Sequence, residues 1–310
     1  MLFRSNWDSA EKLDQKLGQL FKEEQIFRVD HYMSKEAVQN ILAFRFANSL
    51  FEHLWDTRYI ESVNIRLWEK SGIEGRGAFY DKNGALRDVG QNHVLQMLTF
   101  IAMEDPGVLD PKRIRSARLK VLESLRPIGQ EDMISRVKRG QYNGYLEEKD
   151  VPPDSQTETF FQIEAFVDNE RWKDVPFTLE SGKGMLESKT EIDITFKGKT
   201  FCLLLPDQEV LCPKNKLTFT IQPHEGISVT FWSKRPGFGM VLEPKTLSFE
   251  YSDFEGSIPD AYERVIYDCI VGDQTLFTST EEVLASWKFI TPILEHFDRI
   301  PLDKYATNDK

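Results

Sequence analysis

Apolar positions divide the chain into a helical first half and a strand-rich second half. In residues 8–25, Leu13, Leu17, Leu20 and Phe21 recur at helical spacing behind Asp8 or Ser9 as a cap. A short strand, Ile26–Val29, is expected next. Ser34 then opens a helix carrying Val38, Ile41, Leu42, Phe44 and Phe46. Residues 61–69 alternate, with Val63, Ile65 and Leu67 on one face, which predicts a strand. The turn-rich S-G-I-E-G-R-G follows, then a long helix from about Asp88 to Met103. Asp110 with Pro111 marks the start of another helix, reaching Leu125.

From about residue 157 the period changes to two. T-F-F-Q-I-E-A-F-V, E-I-D-I-T-F, K-L-T-F-T-I-Q, I-S-V-T-F-W and T-L-S-F-E-Y are strand-like, with no helical pattern between them. Residues 260–272 and 281–296 return to helix. Gly140–Pro153 is loop-like but carries Tyr142 and Tyr145, so it belongs to the domain rather than to a linker. The pattern predicts an α+β fold: helices first, a largely antiparallel sheet, then closing helices.

Composition narrows the class. The 310 residues can bury a large core, and 40% apolar with 29% charged residues describe a water-soluble globular chain. A net charge of −11 opposes a nucleic-acid surface, because phosphate backbones need a basic stripe. Cys202, Cys212 and Cys269 are scattered without metal-ligand spacing, which suits reduced thiols in a cytoplasmic protein. No apolar run is long enough to span a membrane, and no signal-peptide pattern opens the chain.

Two segments carry candidate chemistry. In R-V-D-H-Y-M-S-K-E, His31, Tyr32 and Lys35 offer a ring N–H, a phenol and an ammonium at a helix start, a donor set suited to a phosphate monoester. In R-D-V-G-Q-N-H, Asp88, Gln91, Asn92 and His93 gather where the long helix opens. A neutral imidazole can take a proton when another group orients its second nitrogen, and Asp30 is the candidate for that part. Taken singly, each segment favours a plainer reading: His31 and Tyr32 as ordinary interface residues with Lys35 solvated, and a helix start capped by Asp88 with a buried, hydrogen-bonded His93.

Together they resemble the glucose-6-phosphate dehydrogenase family. D-H-Y-M-S-K-E is similar to that family's D-H-Y-L-G-K-E, with Met33-Ser34 in place of Leu-Gly. E-G-R-G-A-F-Y-D-K-N-G-A-L-R-D-V-G-Q-N-H is similar to the stretch bearing its catalytic base. A-M-E-D-P, V-K-R-G-Q-Y, D-N-E-R-W-K-D-V-P-F, S-G-K, I-Q-P-H-E-G-I and S-W-K-F-I-T-P-I-L extend the likeness in order along the chain. The resemblance implies a large, mainly antiparallel sheet with helices on one face, and oxidation of glucose 6-phosphate to 6-phosphogluconolactone with NADP. It implies His93 as base with Asp30 orienting it, His31, Tyr32 and Lys35 on the phosphate, and Glu69, Asp88 and Lys183 on sugar hydroxyls. Lys189 falls near a second cation of the family pattern, only loosely matched. No metal is required.

The family's Gly-rich coenzyme loop has no counterpart, since G-I-E-G-R-G lies in the wrong context. The family's E-K-P-F-G segment aligns with Met1–Ser5, where its lysine is lost. Residues 1–310 are therefore expected to be a single C-terminal, substrate-binding domain without a coenzyme domain, poorly active alone and paired with a second copy through the sheet. Three readings stay open: a piece of a dehydrogenase, a stand-alone sugar-phosphate-binding module, or one subunit of a split enzyme whose coenzyme domain is a separate chain.

Overall fold

The computed structural model describes residues 6–198, 214–239, 241–254 and 259–307. Cys202, Cys212 and the Met1–Ser5 segment lie outside them. Cys269 is exposed with a free thiol.

In chain order the helices are α1 (Trp7–Gly18), α2 (Glu36–Phe46), α3 (Ser49–Glu52), α4 (Gly77–Tyr80), a π-helix (Leu86–Val94), α5 (Leu95–Ala102), α6 (Pro111–Glu123), α7 (Met133–Arg136), α8 (Ala261–Val271) and α9 (Thr280–Glu295). The strands are β1 (Ile60–Trp68), β2 (Val137–Tyr142), β3 (Phe160–Ala165), β4 (Phe177–Gly182), β5 (Lys189–Phe196), β6 (Lys216–Gln222), β7 (Gly226–Lys234), β8 (Leu242–Glu250) and β9 (Leu302–Tyr305).

The strands form one sheet in the order β8-β7-β6-β5-β1-β4-β3-β2-β9. It is mainly antiparallel, as expected, but β1 runs parallel to β4 and β2 parallel to β9. Alternation explains its two faces. Val63, Ile65, Leu67, Leu179, Ile192, Ile194, Leu217 and Phe219 are buried in the core shared with α2, α5, α6 and α9. The opposite face is polar: Arg66 bridges Glu191 and Asp193 at 2.9 and 2.8 Å, and Lys216 reaches Asp193 at 2.8 Å. Among the described residues, helices therefore cover one face only.

Several boundaries differ from the sequence reading. α1 stops at Gly18, and its cap is Asn6, which accepts the Ser9 N–H at 2.9 Å in a reciprocal capping box. Ile26–Val29 is no strand; it contributes one isolated bridge, Arg28 to Thr278. The N-cap of α2 is Lys35 rather than Ser34, which is buried. β2 takes up the start of the loop-like Gly140–Pro153, and Tyr142 and Tyr145 pack with Ile73 and Tyr80 in a satellite cluster. β4 and β9 were not anticipated.

Core anchoring is partly ionic. Arg118 and Glu282 are both fully buried and paired at 2.8 Å, and Arg118 also donates to the carbonyls of Phe277 and Thr275 and to the Met33 thioether. This ties α6 to α9 and to the turn that precedes α2.

Candidate active site

The segment that carries the candidate base is the π-helix. Its wider winding brings Asp88, Gln91, Asn92 and His93 around one turn, and such windings concentrate at functional sites. It packs close to the sheet because Gly90 has no side chain. A Cβ there would lie 2.6 Å from Leu86 and 2.8 Å from Phe161. Gln91 ties the helix to α9 by donating to Ser286 Oγ at 2.7 Å. Asp88 does not cap it: the helix opens at Leu86, and Asp88 is half-buried in its first turn.

Asp30 sits in the turn before α2, not at a strand end. The turn winds through successive bonds, Met33 N–H to Asp30 O, Ser34 to His31 and Lys35 to Tyr32, each 3.2 Å. It swings Asp30 under His93, and His93 Nδ1 lies 2.5 Å from Asp30 Oδ1. The same oxygen accepts the Tyr32 N–H at 3.0 Å. With Nδ1–H donating to a carboxylate, the unprotonated nitrogen of neutral His93 is Nε2. Burial pushes Asp30 up, but His93, its hydrogen bond, the Tyr32 N–H and His31 outweigh this and hold the carboxyl below its ordinary value. Asp30 Oδ2 has no partner among the described residues.

The phosphate candidates gather beside this pair. The ring of His31 lies 4.8 Å from that of His93, Tyr32 lies 4.5 Å from it, and Lys35 Nζ is 5.2 Å from the Tyr32 ring. Burial pushes the Tyr32 phenol up to about 12, with Thr190 opposing the rise and Glu69 and Asp30 adding to it, so it stays a donor at neutral pH. Its hydroxyl donates to Gln222 Oε1 at 3.3 Å. Burial lowers Lys35 below the usual ammonium range, against the pull of Glu225 and Asp260. A concavity of about 460 Å³ lined by Lys35, His224, Glu225 and Asp260 opens on this side.

Glu69 and Lys183 meet for a topological reason. β1 and β4 are parallel neighbours ending level, Trp68 beside Gly182, so the next residue of each leaves at the same end of the sheet. Lys183, buried, pairs through Nζ with Glu69 Oε2 and stands 5.7 Å over the Tyr80 ring. Lys189 stands at the same end of the sheet but on its polar face. It pairs with Glu191 at 2.9 Å, two residues on in the same strand and on the polar face, whereas Thr190 between them interacts with Tyr32.

Four residues at this site were not singled out from sequence. Gln222 lay in a quoted segment, but simple alternation from buried Leu217, Phe219 and Ile221 gives it no place there. A register shift between β5 and β6, pairing Thr190 with Gln222, brings it to Tyr32. Tyr262 stacks on His31 with centroids 5.5 Å apart, and nothing in its local sequence marks it. Tyr80 and Glu158 lie beneath the site with few outward signs beyond polarity in an apolar setting.

The G-I-E-G-R-G segment does not form a nucleotide loop. Gly72 and Gly77 of G-I-E-G-R-G are packed against Tyr142 and the Lys149 carbonyl, and they lead into the four-residue α4. Among the described residues no helix is long and apolar enough to cross a membrane.

A mainly antiparallel sheet, helices on one face, and a buried His93–Asp30 pair beside His31, Tyr32 and Lys35 define the domain as α+β. Comparison with known proteins makes the assignment finer. Residues 42–310 match the model described as "Glucose-6-phosphate dehydrogenase, C-terminal domain", and residues 3–40 match that of its "NAD binding domain". Glucose-6-phosphate 1-dehydrogenase of Chlamydia muridarum is 41% identical over 96% of this chain, and that of Bacillus subtilis 40% identical over 94%. A solved glucose-6-phosphate dehydrogenase in complex with its substrate glucose 6-phosphate superposes with a TM-score of 0.89 at 36% identity over 98% of this chain. The chain belongs to the glucose-6-phosphate dehydrogenase family. It spans 61% and 62% of the lengths of the Chlamydia and Bacillus relatives and 63% of the solved chain.

One expectation shifts. The coenzyme domain was expected to be wholly missing, yet residues 3–40, which include α1 and the His31 turn, match its model. The comparisons lend no support to inactivity of the chain alone, to a stand-alone binding module or to a split enzyme.

Proposed function

We propose that this chain supplies the sugar-phosphate site and the general base for oxidation of glucose 6-phosphate to its lactone. One observation carries the reading above the others: the 2.5 Å contact between His93 Nδ1 and Asp30, set among His31, Tyr32 and Lys35. His93 Nε2 takes the proton of the C1 hydroxyl. Asp30 holds the ring and stabilises the imidazolium that forms. His31, Tyr32 and Lys35 hold the phosphate, and Glu69, Asp88 and Lys183 take sugar hydroxyls. The acceptor required is a nicotinamide dinucleotide, NADP by resemblance.

Two further parts of the reading rest on less. Pairing with a second copy through the sheet is supported by the polar face that, among the described residues, no helix covers. A cytoplasmic location fits the same chemistry, and an Arabidopsis thaliana relative is named cytoplasmic.

The test is calorimetric titration of the chain with glucose 6-phosphate, glucose and inorganic phosphate. Binding of the ester, loss of most of that affinity in Lys35→Ala, and weaker uptake of either half alone are expected. No heat with glucose 6-phosphate in a folded chain would sink the reading.

A further inference from the structure

Glu158 is a buried acid that none of the proposed chemistry uses, yet it touches the segment that carries His93. Its side chain is 3% exposed. Oε1 accepts the Leu86 N–H at 3.0 Å, and its main-chain carbonyl accepts the Ala85 N–H at 3.1 Å. Leu86 is the first residue of the π-helix, whose own N-cap, Ala85, has no side-chain acceptor to offer. Glu158 thus supplies from another segment the oxygen acceptor that this helix start lacks.

Gly84 makes room for it. Its φ of +70° is a left-handed conformation, and a Cβ there would fall 2.3–2.5 Å from three atoms of the Glu158 carboxyl group. The next residue reaches the other half of the site. Thr159 O accepts the Lys183 N–H at 2.9 Å, and Thr159 Oγ1 meets Tyr305 OH at 2.8 Å, which in turn donates to Lys183 O at 2.6 Å. One dipeptide therefore holds the start of the base-bearing helix on one side and the Lys183 backbone on the other.

We infer that Glu158 is a positioning residue, which fixes the distance between the His93–Asp30 pair and the Lys183–Glu69 pair by clamping the first turn of the π-helix. The inference rests on the functional reading above for its substrate, though not for its geometry. Removing the clamp frees the helix start, while the Thr159 contacts to Lys183 remain. The two halves of the site then lose their register.

The test compares Glu158→Ala, Glu158→Gln and Gly84→Ala in the full 310-residue chain. Two signals are read: the dissociation constant for glucose 6-phosphate, and the NMR resonance of the His93 Nδ1 proton shared with Asp30. Glu158→Ala should weaken binding roughly tenfold and shift that resonance. Glu158→Gln keeps an oxygen for the Leu86 N–H and should restore both to within about twofold. Gly84→Ala drives the carboxylate off the helix start and should resemble Glu158→Ala; it decides the matter if the latter does not fold. Unchanged affinity and an unchanged resonance in folded Glu158→Ala or Gly84→Ala overturn the inference. If the unsubstituted chain takes up no glucose 6-phosphate, the functional reading fails and the His93 resonance alone decides for Glu158.

Discussion

Lys183→Met separates substrate binding from folding more cleanly than any other single change. The ammonium is buried, but its partner Glu69 keeps 36% of its side chain in water. Removing the cation therefore leaves Glu69 hydrated, and methionine fills the stem's volume without the cost of burying a charge. Loss of a partly exposed pair costs under about 1 kcal/mol, so the melting temperature should move by at most roughly 4 °C. Binding is another matter. A hydrogen bond from a charged donor to a sugar hydroxyl contributes about 1.5–3 kcal/mol, which corresponds to roughly 10- to 150-fold in affinity. Calorimetry with glucose 6-phosphate should show that loss. Inorganic phosphate should bind as before, since the donors proposed for it are His31, Tyr32 and Lys35 and not this pair. Equal losses for both ligands, or none for either, would refute the division of the site into a sugar half and a phosphate half.

Three more outcomes follow from named groups. Arg118→Met removes the 2.8 Å cation of fully buried Glu282, leaving Arg115 Nε at 3.9 Å, and takes the donor from the Phe277 carbonyl, so stability should fall by about 3 kcal/mol in urea unfolding. Adding Glu282→Met should recover most of it, and no recovery would show that the ion pair is not the cause. Burial raises Glu158 to about 7 from an ordinary 4.5, opposed by the Leu86 N–H, Arg87 and Arg139. A raised acid contributes stability that is complete below its unfolded value and is lost as pH rises through 7, so Glu158→Gln should gain on the parent by about 3 kcal/mol between pH 4.5 and 8.5; a difference in melting temperature that ignores pH would contradict the assignment. Because Lys35 titrates below an ordinary lysine, its hold on phosphate should weaken as pH rises, and Lys35→Arg should carry binding to higher pH. Flat phosphate affinity from pH 7 to 10 in the unsubstituted chain would exclude Lys35 from the phosphate site.

Much of this was legible because it rests on short-range pattern. Val63, Ile65 and Leu67 alternate as the strand they form, and Asp110 caps α6 by accepting from Lys112 and Arg113 at 3.1 Å, as Asp-Pro signals. Asp30, His31, Tyr32, Lys35, Asp88 and His93 stood out as candidates because they cluster in two motifs, whereas Glu69 and Lys183 came only through the resemblance. What escaped depends on long-range geometry. β9 reads L-D-K-Y and is a strand only because β2 offers it a parallel partner. The π-winding has the same residue order as an α-helix; it shows itself only through the packing of Gly90 on Phe161. Gln222 reaches Tyr32 through a bulge that no period-two count contains.

The deeper reason the site exists where it does is the parallel pair inside an antiparallel sheet. β1 and β4 both run toward the site, so Glu69 and Lys183 follow their last residues side by side. β3 is antiparallel to β4 and begins opposite Gly182, so Glu158 and Thr159 lie just before it at that same end. β5 is antiparallel to β1, with Lys189 beside Trp68, and it delivers Thr190 there; β6 ends there with Gln222. Had β4 run the other way, Lys183 would leave the sheet about six residues away, roughly 20 Å from Glu69. Five chain segments thus converge on one edge, and the turn before α2 and the π-helix lay the phosphate donors and His93 across it. The sheet places the proposed sugar pair, the helices place the proposed phosphate donors and base, and Glu158 reaches from the strand end to the start of the π-helix.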